Sequence, residues 1–164
     1  MLRLPVPPAE LLVRRLLRGD PVIAGDVAVR AWINGRADLV GPGNPIAGGA
    51  FDKEEASPQG GAYVRVDSTQ GRLDTVAEQD PALATCGCSM LVYSQTKEAA
   101  STAAAALAAV VNSLNGNPEP AGASGITVLM ADTVLGPVYV PQPQTGGEQF
   151  CYQVSADFLL ALNA

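Results

Sequence analysis

The chain has 164 residues and no histidine. That absence removes the commonest general base, the imidazole of serine and cysteine triads, and most zinc sites. Aromatic residues make up only 5% of the chain against a hydrophobic content of 48%, and alanine and glycine supply much of the apolar count. A thin core of small side chains is expected, with stability that leans on association; a monomer melting cooperatively at low concentration would contradict that. Three cysteines are too few and too irregularly placed for a disulfide framework, which fits synthesis in a reducing compartment. No segment reaches the roughly 18 consecutive apolar residues of a membrane span. Pro5, Pro7 and Pro8, followed by three arginines, read against a signal peptide.

Basic residues are missing from the whole second part of the chain. Six of the ten (Arg3, Arg14, Arg15, Arg18, Arg30, Arg36) lie in the first 36 positions, and none follows Lys97. Beyond it the charges are Glu98, Glu119, Asp132, Glu148 and Asp157, within a net charge of −6. A basic front and an acidic back suit head-to-tail contact between copies, or are a solvated surface that is simply lopsided. Gripping of duplex DNA needs a denser basic stripe.

What is present organises around 84–116. Ala84 to Tyr93 alternates as a strand, with Cys86, Cys88, Met90 and Val92 on one side and Thr85, Gly87, Ser89, Leu91 and Tyr93 on the other. A helix from Lys97 to Asn115, capped by Ser94 or Thr96, stacks Ala99, Ala103, Ala106, Leu107, Val110, Val111 and Leu114 toward a sheet. Upstream, Ala9 to Arg18 reads as a short amphipathic helix, with Leu12, Val13, Leu16 and Leu17 opposite Arg14, Arg15 and Arg18. Asp26 to Ile33 reads as a strand, with Val27 and Val29 facing away from Ala28, Arg30 and Trp32.

From Asn34 to Gly61 turn formers crowd the chain, and a long flexible loop without regular structure is expected. Its Ile46, Phe51, Asp52, Lys53, Glu54 and Glu55 are the candidate partner-binding residues, ordering on contact. Tyr63 to Asp67 is a short strand. Ile126 to Ala131 and Val134 to Val140 are two extended pieces separated by a bend near Gly136-Pro137. Gln149 to Leu160 is a strand that pairs with them as a long antiparallel hairpin. The fold class is α+β, one domain over residues 1–164, with an antiparallel or mixed sheet, helices on one face and a polar opposite face.

Chemistry is sparse. Cys86-Gly-Cys88 lacks a third ligand nearby and reads as core thiols rather than a metal or redox site. Gly41-Pro42-Gly43 and Gly146-Gly147 lack the lysine and following helix of a phosphate loop. Asp52, Glu54 and Glu55 match no calcium loop. No catalytic residue, metal site or cofactor is expected, and the chain does not read as an enzyme. The remaining candidate is the polar sheet face, where Arg65, Asp67, Thr85, Ser89, Tyr93, Gln153, Ser155 and Asp157 form a channel wall, a contact between subunits, or merely a wet surface.

In order and texture the chain resembles the tail terminator proteins of long-tailed phages, especially those infecting actinobacteria. The resemblance spans nearly its whole length. It rests on Leu11-Leu-Val-Arg-Arg-Leu-Leu17, on a Gly/Pro loop ending in Ala62-Tyr-Val-Arg-Val66, on Met90-Leu-Val-Tyr-Ser-Gln-Thr-Lys-Glu-Ala-Ala100, and on Cys151-Tyr-Gln-Val-Ser-Ala-Asp-Phe158. The loop of 34–61 departs from the family pattern in size. The resemblance implies a virion protein made in the host cytoplasm that forms a homo-hexameric ring on the head-proximal end of the tail tube. Such a ring stops polymerisation of the tail tube protein at the length set by the tape measure protein. Its upper face meets the head-closure (stopper) protein, and phage DNA passes through its lumen without specific binding. The basic helix with Arg14, Arg15 and Arg18 is a candidate contact between subunits, docking on the body of its own chain or on a neighbour. Another neck or tail subunit is the alternative, ahead of a small-molecule or metal-binding module.

Overall fold

The computed structural model describes residues 25–51, 61–68, 83–114, 117–122, 125–141 and 149–162. The expected arginine-bearing helix at Ala9 to Arg18 therefore lies outside the described residues, as do Asp52, Lys53, Glu54 and Glu55. Within them the fold is α+β. Helix α1 (Gly25–Asn34) is followed by strands β1 (Gly49–Phe51), β2 (Tyr63–Ser68) and β3 (Leu83–Ser94), helix α2 (Lys97–Ser113), and strands β4 (Glu119–Pro120), β5 (Ile126–Val140) and β6 (Phe150–Leu162).

The strands form one mixed sheet in the order β1-β2-β3-β6-β5-β4. Only β1 and β2 run parallel; every other neighbouring pair is antiparallel. The expected hairpin is present as β5 and β6, but β5 is a single strand rather than two pieces. It absorbs the irregularity near Gly136-Pro137 as register shifts between Val128 and Met130, Asp132 and Leu135, and Leu135 and Val138.

Both helices cover the same sheet face. Val64 and Val66 of β2, Cys86, Cys88, Met90 and Val92 of β3, and Val154, Ala156, Phe158 and Leu160 of β6 share one buried cluster with the two helices. Helix α2 starts where Thr96 accepts a hydrogen bond from the Ala99 backbone N–H. Its buried stripe runs through Ala100, Ala103, Ala104, Leu107, Ala108 and Val111, and Leu114 just beyond is buried as well. Ala99 lies outside the stripe and is exposed. Small side chains at these positions let the helix axis approach the sheet closely, so little aromatic bulk is required.

The expected strand at Asp26 to Ile33 is a helix. Its alternation of Val27 and Val29 against Ala28, Arg30 and Trp32 coexists with a helical pattern, Ala28, Val29, Trp32 and Ile33, and these four, with Gly25, are the buried ones. β-Branched residues favour strands only weakly, and burying this second set against the sheet decides the outcome. Trp32 packs edge-on against Phe158 with ring centroids 5.9 Å apart. Asp26 and Arg30 add an i,i+4 ion pair at 3.7 Å on the outer side. At the start of α1, a Cβ on Gly25 would collide with the Cys86 side chain, so glycine is what lets α1 lie directly on β3.

The segment after α1 is also more ordered than its composition predicts. Residues 35–48 are turns anchored by Leu39 and Ile46, both fully inside the core. The Asn44 side chain donates to the Ala37 and Val40 carbonyls at 2.7 and 3.0 Å. At Asn34 the side chain accepts from the Ala50 N–H (2.8 Å) and donates to the Ala50 carbonyl (3.1 Å), tying the helix end to β1.

Candidate assembly face of the sheet

Register lines up the sheet face opposite the two helices in rows across β2, β3, β6 and β5. The first row is Tyr63, Tyr93, Cys151 and Val140; the second is Arg65, Leu91, Gln153 and Val138. The third is Asp67, Ser89, Ser155 and Leu135. Gly87, Asp157 and Asp132 follow, and then Thr85, Leu159 and Met130. On β2, β3 and β6 successive rows are spaced by two residues, about 7 Å along the strands, while the register shifts of β5 make two of its steps three residues, and neighbours within a row are about 5 Å apart. The structure thus brings all eight sequence-predicted face residues onto one surface.

The rows differ in character. The first is not a wet face: Tyr63 and Cys151 are fully buried and Tyr93 is 2% exposed. Tyr63 stacks on Tyr93 at 5.2 Å with an interplanar angle of 14°, and Phe51 meets Tyr63 edge-on at 6.1 Å. Tyr93, expected on an open contact surface, is therefore part of a second apolar cluster with Phe51, Leu91 and Val140 around it. Alternation assigns a side chain to a face but says nothing about what covers that face.

The middle rows carry the polar groups. Gln153 donates to the Ser89 hydroxyl at 2.9 Å, bridging β6 and β3. Arg65 holds Asp67 at 3.0 Å. This carboxylate, and after it Tyr93, raise the Arg65 pKa against the opposing effect of burial. Asp157 and Asp132 stand opposite each other across β6 and β5, and both are exposed.

Along β5 the face turns apolar again. Leu135 is 60% exposed, Val138 59% and Met130 38%. No sequence signal singles these three out, because Leu135 and Val138 sit among register shifts that set their direction. Tyr139 points the other way, against Tyr152, with the Lys97 ammonium 4.6 Å from its ring centroid.

Candidate residues elsewhere fare differently. Ile46, expected at a partner-binding loop tip, is a core residue and unavailable to a partner, while Phe51 is half-buried beside Tyr63. Cys86 and Cys88 face the core with their sulfurs 3.7 Å apart. Contact with the Cys86 thiol, and then burial, push the Cys88 thiol far above the ordinary range, so it stays protonated. Among the described residues no group of three potential metal ligands occurs.

A feature missed in the sequence is the latch behind α1. Arg36 grips the Glu119 carboxylate at 2.6 Å and pairs with Asp38 at 2.6 Å through a second nitrogen. Trp32 Nε1–H donates to Glu119 at 2.7 Å. Arg36 foremost holds the Glu119 carboxyl below its usual range, with the Trp32 bond assisting and partial burial opposing. Residues 83 and 87 positions apart in sequence meet here, which no local pattern announces.

Comparison with protein-family models, curated proteins and solved structures finds no match to this chain.

Proposed function

We propose that the protein is a structural subunit of a long-tailed phage, forming a ring that caps the head-proximal end of the tail tube and presents the neck surface to the head. The observation that carries this reading is the sheet face opposite the helices, polar in its middle rows and lined along β5 by exposed Leu135 and Val138. Exposed apolar side chains gathered on one strand mark a surface that meets another protein. The resemblance in element order to tail terminators supplies the identity of the assembly. The buried Cys88 thiol, held protonated, and the missing histidine argue for a structural rather than a catalytic role.

The test is to mix the purified protein with the tube protein of the phage that encodes it and to image the product. Capped tubes that stop growing are expected; tubes elongating unchanged would overturn the reading. Open filaments formed by the protein alone would instead favour a tube subunit, because a head-to-tail contact that does not close generates a filament.

A further inference from the structure

The last residue of α1 is an asparagine followed by glycine, and the fold holds that reactive pair in check. A glycine nitrogen, with no side chain beside it, is the least hindered backbone nucleophile that an asparagine amide can meet. We propose that, independently of any assembly, Asn34-Gly35 is a deamidation site that its bonds to Ala50 keep inert and that reacts irreversibly when β1 lets go of α1.

The step takes in one water and releases one ammonia. The Gly35 nitrogen attacks Asn34 Cγ and gives up its proton. The new C–N bond closes a five-membered imide as the bond to the side-chain nitrogen breaks and ammonia leaves. Water then opens the ring to aspartate or isoaspartate at position 34. Both residues are exposed, so water is at hand.

Three features oppose ring closure. The Gly35 N–H donates to the Ala31 carbonyl at 3.0 Å, which retains the proton that must leave and keeps Asn34 helical, where the nitrogen is not aligned with Cγ. The side-chain amide is bound at both ends, accepting from the Ala50 N–H at 2.8 Å and donating to the Ala50 carbonyl at 3.1 Å, so Cγ cannot swing toward Gly35. Gly49 makes room for this clasp: its φ is 85°, and a Cβ there would stand 3.1 Å from Asn34 Oδ1.

The clasp lasts only as long as β1 stays in place. That strand is three residues long, and short pieces of this kind open locally before the whole chain unfolds. Reaction at position 34 then weakens reclosure. A carboxylate has no hydrogen to donate to the Ala50 carbonyl, so two acceptors are left facing each other. It also places a negative charge at the C-terminal end of α1, whose last turn holds no basic residue.

Peptide mapping by mass tests this on the intact chain, incubated in mildly alkaline buffer with and without unfolding urea. The other Asn-Gly pair, Asn115-Gly116, calibrates the rate in urea. Asn34 should deamidate about tenfold more slowly in buffer, or slower still, and Gly49→Ala should narrow that gap. Equal rates in buffer and urea overturn the protection, and a gap as wide in Gly49→Ala as in the parent overturns the clasp as its source. A second measurement needs no variant. Below the unfolding transition, deamidation at Asn34 should rise with urea in step with hydrogen exchange of the Ala50 amide, and exchange that rises alone overturns the coupling. Deamidated chains, separated by their added negative charge, should unfold at lower urea than the parent, as should Asn34→Asp. Unchanged midpoints for both overturn the weakened reclosure.

Discussion

The two faces of the sheet are made by the same strands and behave as different materials. On the covered face Cys86, Cys88, Met90, Val92, Val154, Ala156, Phe158 and Leu160 are all within a few per cent of complete burial against two helices. On the other, a stacked tyrosine pair gives way to hydrogen-bonded polar rows and then to exposed Leu135 and Val138. Alternate residues of one strand therefore answer to different demands. The first set makes the core under the helices, and the second, beyond its buried tyrosine row, is the surface proposed to meet a neighbour.

The comparison breaks most severely at Phe158. Truncation to alanine removes the ring that Trp32 packs on, and a loss of about 3–5 kcal/mol is expected from urea unfolding. An intact midpoint would mean that the aromatic contact is incidental. Next is Gly25→Ala, which forces a methyl group into Cys86 and should cost about 1–3 kcal/mol. Pairing it with Cys86→Ala should recover part of the loss, and an additive double variant would dismiss the close approach as its cause.

Glu119→Gln should cost about 1–2 kcal/mol near neutral pH, since it weakens the pairing with Arg36 while keeping an acceptor for Trp32. The pH dependence has a definite sign. The folded state holds the Glu119 pKa below its ordinary 4.5. Its contribution is thus complete above that value and is lost as pH falls through the lower folded pKa. Stability curves of parent and variant should converge in acid, and a constant gap down to low pH would remove the carboxylate as the source.

The smallest effect on folding is expected from Leu135→Asp with Val138→Asp. Exposed positions of this kind shift stability by about 0.5 kcal/mol or less. Self-association measured by sedimentation should nevertheless drop, and a clear loss of thermal stability without change in association would blur the distinction between the faces.

How much of this was readable follows from which contacts are local. Strand β3, the Thr96 cap and helix α2 are legible because period and capping residue agree over consecutive positions. The β5–β6 hairpin is legible for the same reason. Helix α1 is not, because Val29 and Ile33 satisfy two periodicities and only packing on β3 and β6 chooses between them. Strand β1 is three residues long and pairs in parallel with β2 across an intervening segment, so turn composition masks it. The eight candidate face residues follow from alternation. Burial of Tyr93 depends on Tyr63 and Phe51 from other strands, and exposure of Leu135 on register shifts, so neither is written locally.

The amide of Asn34 closes one border of the sheet. In a strand, the N–H and C=O of a single residue point to the same side, and both of Ala50's are taken by that one side chain. Asn34 thus does at β1 what an added strand would do, without offering a further ladder to continue from. Growth of the sheet by strand addition is consequently stoppered at β1, and replacing Asn34 with alanine would open that border.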